Sequence, residues 1–215
     1  MSQIFSPRAG MYGWLALIVS LVLASSAVLG WRALTAEPHA IDAPVNQPVP
    51  FSHEHHVGEV GLDCRYCHTT VETSAYAGMP PISTCMTCHS QLFTDQPMLQ
   101  PLVQSWETHV PLQWNRVNQL PDFVYFNHSI HVAKGVGCVS CHGRVDTMPL
   151  MRRTASLSMH WCLQCHRAPE KYLRPRSKVF DMAWQPEDQK TLGLALIKRY
   201  DIHTSRLTDC SVCHR

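Results

Sequence analysis

Ten cysteines constrain this chain more than any other feature, because all of them fall into one pattern. Cys-x-x-Cys-His occurs five times, at residues 64–68, 85–89, 138–142, 162–166 and 210–214. Two cysteines on one turn can form thioethers with the two vinyl groups of a porphyrin, and the next histidine then lies under the iron. The thioether residues are therefore Cys64 and Cys67, Cys85 and Cys88, Cys138 and Cys141, Cys162 and Cys165, and Cys210 and Cys213. The proximal iron ligands are His68, His89, His142, His166 and His214. A zinc ribbon needs paired C-x-x-C units but no histidine after each, and a disulfide framework does not phase its cysteines this way. No thiol is left for nucleophilic catalysis, and the expected cofactors are five c-type haems.

That number sets the fold. Of 215 residues, about 165 follow residue 50, too few to enclose five macrocycles and also build a thick side-chain core. The expected class is mostly α with extensive loops, its core made of five stacked haems. Fifteen prolines against 10 glycines suit stiffened loops without a sheet to rest on. A formal charge of +2 gives no argument for nucleic acid.

Residues 9–31 contain no Asp, Glu, Lys, Arg or His, which is long enough for one membrane-spanning helix, with Trp14 and Trp31 near its ends. A cleaved signal is the competing reading, since Ala24, Ser25, Ser26 and Ala27 offer small residues, but the apolar run continues past them. We expect residues 1–34 to be a cytoplasmic tip and retained anchor. Residues 35–50, with four prolines, should form an extended linker in which His39 is solvated. Residues 51–215 should form the haem domain on the periplasmic side of a bacterial inner membrane, where such haems are attached.

Within that domain Phe51-Ser52-His53-Glu54-His55-His56-Val57 aligns with Phe126-Asn127-His128-Ser129-Ile130-His131-Val132. The match extends through two Cys-x-x-Cys-His units in each half, giving di-haem modules at 51–110 and 126–170 and a fifth haem at 200–215. The repeated F-x-H-x-x-H supplies four distal ligands, His53, His56, His128 and His131. On a helix this spacing turns both imidazoles to one face. His53 should serve the Cys64 haem and His128 the Cys138 haem, with His56 and His131 reaching others. For the fifth distal ligand Met148, Met159 and His160 are candidates, and His203 lies seven residues before Cys210. Methionine ligation would raise that haem's potential.

Fully ligated irons leave no position for a substrate, so no catalytic residue is assigned and electron transfer is the expected role. The motifs resemble class III multihaem cytochromes, and more closely the pentahaem, membrane-anchored subunit of alternative complex III. The resemblance rests on Ala77-Gly78-Met79-Pro80-Pro81, on Leu120-Pro121-Asp122-Phe123-Val124-Tyr125-Phe126, on Trp161 with the unit after it, and on Leu207-Thr208-Asp209 before the last. His160 stands where the family leads us to expect glycine. The resemblance implies a quinol-oxidising complex with an iron–sulfur subunit, polytopic quinol-binding subunits, a mono-haem cytochrome c and a periplasmic electron acceptor. The second reading is a stand-alone membrane-anchored quinol dehydrogenase feeding a periplasmic reductase. A third, soluble nitrite or hydroxylamine chemistry, requires a high-spin haem.

Overall fold

A computed structural model describes residues 7–35 and 41–214; His39 and the first six residues lie outside them. The chain folds as two units, Met1–Ala40 and Ile41–Arg215. The first contains one helix, α1 (Pro7–Thr35). At 1.5 Å per residue it is about 43 Å long, enough to cross a bilayer. The side chains of residues 8–34 are all exposed, apolar ones included, as expected of a helix whose partner is lipid or another helix.

The second unit is short helices and loops, with two isolated bridges (Pro44 to Arg152, Val136 to Leu173) and no sheet among the described residues. Its α-helices are α2 (Cys64–Cys67), α3 (Ile82–His89), α4 (Gln100–Thr108), α5 (His128–Ala133), α6 (Val139–His142), α7 (Met159–Arg167), α8 (Gln189–Arg199) and α9 (Cys210–Cys213). Every Cys-x-x-Cys-His unit lies on or beside one of these. In three units the motif itself closes the turn: the amide of His68 donates to Cys64 at 2.9 Å, His142 to Cys138 at 3.0 Å and His214 to Cys210 at 2.9 Å. Side-chain caps start several helices, with Asp63 accepting from the Arg65 amide, Asn127 from Ile130 and Ser158 from Trp161.

Among the described residues few side chains pack fully against one another, and 11 hydrophobic residues are buried. The one cluster joins Leu173, Leu196 and Tyr200, where α8 crosses the turn at Pro169–Lys171. Gly193 makes that crossing possible, because a Cβ there would overlap the Glu170 backbone. Tyr66, Tyr76, Phe93, Phe123, Tyr125 and Ile130 stay exposed around the motif helices. These surfaces gain cover only from a large apolar group seated among them.

One sequence expectation, the extended linker, is corrected. Residues 41–50 do not form a free spacer. The Asp42 amide donates to Arg153 at 2.7 Å and Val45 to Met151 at 3.0 Å, while Val45 and Val49 are buried. The run is held by these backbone hydrogen bonds, with Val45 and Val49 as its buried side chains. The first F-x-H-x-x-H copy is not an α-helix. His53 caps a single π-turn, Glu54–Glu59, in which Val60 donates to His55 at 2.9 Å. Single π-turns are rare and cluster at functional sites.

Candidate haem-binding sites

The two repeat copies place their rings almost identically. Phe51 stacks on His56 at 4.4 Å and meets His53 edge-on at 4.8 Å; Phe126 stacks on His131 at 4.5 Å and meets His128 edge-on at 4.7 Å. The phenylalanine thus holds both imidazoles of its copy. His56 Nδ1–H donates to the Ser52 carbonyl at 2.8 Å, and His131 Nδ1–H donates to the Asn127 carbonyl at 2.7 Å. These are equivalent positions.

Three distal candidates face proximal histidines. His56 and His89 have ring centres 6.1 Å apart, His128 and His142 6.4 Å, and His131 and His166 6.2 Å. Direct stacking would bring the rings much closer. The two imidazoles of each pair would hold a haem iron between them. His128 and His142 are also nearly parallel, at 6°. Around His53 lie three further imidazoles, His68, His56 and His142, which act with burial to keep it neutral.

Hydrogen bonding selects the nitrogen that faces each gap. His68 Nδ1–H donates to Gly78 at 2.7 Å, His89 to Leu92 at 3.2 Å, His166 to Leu207 at 2.7 Å, His214 to Phe123 at 3.1 Å and His128 to Ala75 at 2.9 Å. A carbonyl only accepts, so each Nδ1 carries the proton and each Nε2 keeps its lone pair for a metal. His142 Nδ1 lies 3.2 Å from the Asn118 amide, whose Oδ1 is buried without a partner. Turning that amide lets Oδ1 accept from Nδ1–H and satisfies both groups. His53 is the exception, its buried Nδ1 lacking a partner among the described residues.

Electrostatics support the same assignment. Burial, reinforced by neighbouring imidazoles, lowers His53 and His142 to about 4, and it also lowers His56 and His131. These rings are therefore neutral at physiological pH, the form that binds iron. Burial raises Cys138 and Cys165 to about 11 and Cys141 to about 12. Such thiols are poor thiolates, consistent with attachment points rather than nucleophiles.

The remaining histidines and methionines are placed differently. His55 Nδ1 lies 2.7 Å from Glu59, and His160 Nε2 lies 3.2 Å from Gln164 Nε2. His203 is exposed beside Asp201, and His109 ends α4 in a left-handed turn. Met148 is fully buried and Met159 is exposed. Among the described residues no imidazole ring stands opposite His214; its ring instead stacks on Phe123 at 5.8 Å.

Sequence reasoning named candidate ligands but not the carbonyls that anchor them. Gly78, Phe123 and Leu207 act through backbone carbonyls, which carry no side-chain signature. All three lie in stretches that carried the family resemblance. For Gly78 the reason for glycine is visible, since its φ of +83° turns the carbonyl to His68 and a Cβ would meet Thr70 Oγ1 at 2.8 Å.

The residues thus fit c-type haem at each unit: two cysteine sulfurs, the adjacent imidazole and, at three sites, a second imidazole facing it. Bound there, haem supplies reversible one-electron transfer. The chain matches two protein-family models, the class III cytochrome C family over residues 32–106 and cytochrome c3 over residues 130–215. Each half of the chain is thus similar to a class III-type cytochrome family, and its Cys-x-x-Cys-His units hold five c-type haems. A curated relative is the "Menaquinone reductase, multiheme cytochrome c subunit" of Nitratidesulfovibrio vulgaris (strain Hildenborough). It is 29% identical over 205 residues, covering 92% of this chain and 88% of the relative.

Proposed function

We propose that this chain is the multihaem electron-carrying subunit of a membrane-bound quinone oxidoreductase, passing single electrons between a periplasmic carrier and a quinone-binding partner. The observation that carries the reading is the set of facing imidazoles 6.1–6.4 Å apart, each outer nitrogen tied to a backbone carbonyl or an amide. Such sites hold irons on both faces. They can take and give electrons but have no position for a substrate, and the protein matrix around them limits reorganisation.

The relative's name supports a link to menaquinone, and the word subunit in it supports a complex rather than a lone chain. A quinone-coupled, membrane-anchored multihaem protein is therefore favoured over the subunit of alternative complex III. In the favoured direction a reduced one-electron carrier is oxidised twice. The two electrons cross this chain, and a partner subunit adds them with two protons to a quinone, forming a quinol. Helix α1 is the membrane anchor, and the haem unit stands on the periplasmic side.

The test uses the protein purified with its native membrane partners. A reduced periplasmic cytochrome should reduce all five haems, and added menaquinone analogue should reoxidise them with quinol formed. Haems reduced by menaquinol and reoxidised by the cytochrome, with no flow in the other sense, would restore the quinol-oxidising reading. Direct reduction of the quinone by the isolated chain would replace the complex with a stand-alone enzyme.

A further inference from the structure

We propose that the five attachment sites form one unbranched row, in the order Cys85, Cys64, Cys138, Cys162, Cys210, whose two ends are this chain's electron ports. The inference rests on the relay reading above and goes beyond it, because neither motif order nor the family match orders the sites. Chain order would put the Cys64 site at one end; the contacts put it second.

The order comes from contacts between binding turns. Tyr66, inside the Cys64 turn, and Thr87, inside the Cys85 turn, share a hydrogen bond of 3.0 Å. The Cys64 turn also reaches the Cys138 turn: the Arg65 guanidinium lies 4.6 Å over the Phe180 ring, and the preceding carbonyl, Val179, accepts from the Cys138 amide at 3.2 Å. The Cys138 and Cys162 sites take their distal imidazoles from one helix, with His128 and His131 a turn apart on α5. The Cys162 and Cys210 sites are joined at Leu207, three residues before Cys210, whose carbonyl holds His166.

Exposure marks the ends independently. Of the ten cysteines, Cys88 and Cys210 are exposed and the other eight are half-buried; these two belong to the first and last sites of the row. A one-electron carrier can therefore approach one thioether edge while a quinone-linked partner occupies the other. Each electron entering at one port, as the carrier is oxidised, is matched by one leaving at the other. The ports also differ chemically, since His56 faces His89 at one and no described imidazole faces His214 at the other.

The test follows haem-methyl NMR signals of the full-length holoprotein through a redox titration. The variant His56→Met changes the Cys85 haem, and charge–charge coupling falls with distance. The apparent potential of the Cys64 haem should shift, with those of the Cys162 and Cys210 haems unmoved. A shift at either of those as large as at the Cys64 haem overturns the row. Should that variant fail to fold, the unaltered protein answers with a soluble paramagnetic agent. The methyls of the Cys85 and Cys210 haems should broaden several-fold more than those of the Cys138 haem, and equal broadening of the Cys138 haem overturns the proposal. Failure of the relay reading has a different signature: carbon monoxide would bind an interior iron while the broadening order stayed the same.

Discussion

Residues 51–59 and 126–134 carry the same motif and hold their rings in the same way, yet one winds as a π-turn and the other as α5. The difference lies in what each packs against. The first copy lies on the second half of the chain: Glu54 donates its amide to Met148 at 3.1 Å, and Gly58 touches the Asp146 backbone closely enough that a Cβ would overlap it. The second copy lies on the first half, with the Ser129 amide donating to Ser74 at 3.1 Å and His128 to Ala75. Here alanine, Ala133, occupies the position of Gly58. Ring placement is thus fixed within each copy by its phenylalanine, and backbone form by the neighbour. The copies clasp each other's halves through backbone contacts, while each facing imidazole pair lies within one half.

The largest expected effect tests whether the copies are equivalent as ligands. His56→Ala and His131→Ala each remove a sixth bond from one iron in five. Each should convert about a fifth of the low-spin haem signal to high-spin and let that site bind carbon monoxide. Magnetic circular dichroism of the oxidised protein reads the change directly. An unchanged spectrum in either variant would break the equivalence and remove that histidine from the ligand set. The unaltered protein should show four bis-imidazole haems and a fifth of different character.

Acid tests the difference between His53 and its counterpart. Both His53 and His142 ionise at about 4 in the folded chain against 6.5 for a free imidazole, mainly because burial disfavours the charged form. The unfolded chain therefore takes up protons first as pH falls. Above about 6.5 both states are neutral and nothing is lost; between 6.5 and 4 the folded state loses stability, on the order of 3 kcal/mol per imidazole. Iron ligation acts in the same direction, since protonation competes with the metal. His53, with no partner for its Nδ1, should release its iron before the carbonyl-anchored His128 does. Low-spin absorbance and helical signal measured from pH 7 to 4 check both points, and a rise in stability over that window would contradict them.

How much of this the amino-acid order reveals depends on whether the determinant is a side chain or a backbone group. Candidate attachment cysteines, proximal histidines and the repeated histidine pair can be named from the order because each is a particular side chain at a particular spacing. Facing pairs at His56–His89 and His131–His166 were only partly legible: the sequence says these histidines reach other haems but not which. The π-turn was illegible because Gly58 reads as an ordinary weak helix residue until Asp146 is seen beside it. Residues 41–50 read as a linker from their prolines, and only the buried Val45 and Val49 reveal the docking. The fifth distal ligand stays open in the sequence because no repeated motif precedes Cys210.

Exchanging the residues that differ between the copies sharpens the backbone argument. Gly58→Ala forces a methyl into the Asp146 carbonyl and should cost about 1–3 kcal/mol, the range for overpacking. Ala133→Gly has no such contact to relieve and should cost about 0.5–1 kcal/mol, the ordinary penalty of glycine within a helix. Thermal unfolding of the two holoproteins gives the comparison. Equal losses would mean that the π-turn does not arise from the approach to Asp146.

The smallest effect separates two adjacent histidines. His55 and His56 share a backbone and differ by one position, but His56 stacks under Phe51 and faces His89, while His55 turns outward to Glu59 at 2.7 Å with half its side chain exposed. The second copy has Ile130 in place of His55 and forms the same ring arrangement without it. An exposed pair of this kind contributes about 0–1 kcal/mol. His55→Ala should therefore leave all five haem spectra and potentials unchanged and shift the unfolding midpoint by little. A change in any haem's spin state in this variant, measured beside His56→Ala, would make His55 the ligand and reverse the reading of which face the π-turn presents to iron.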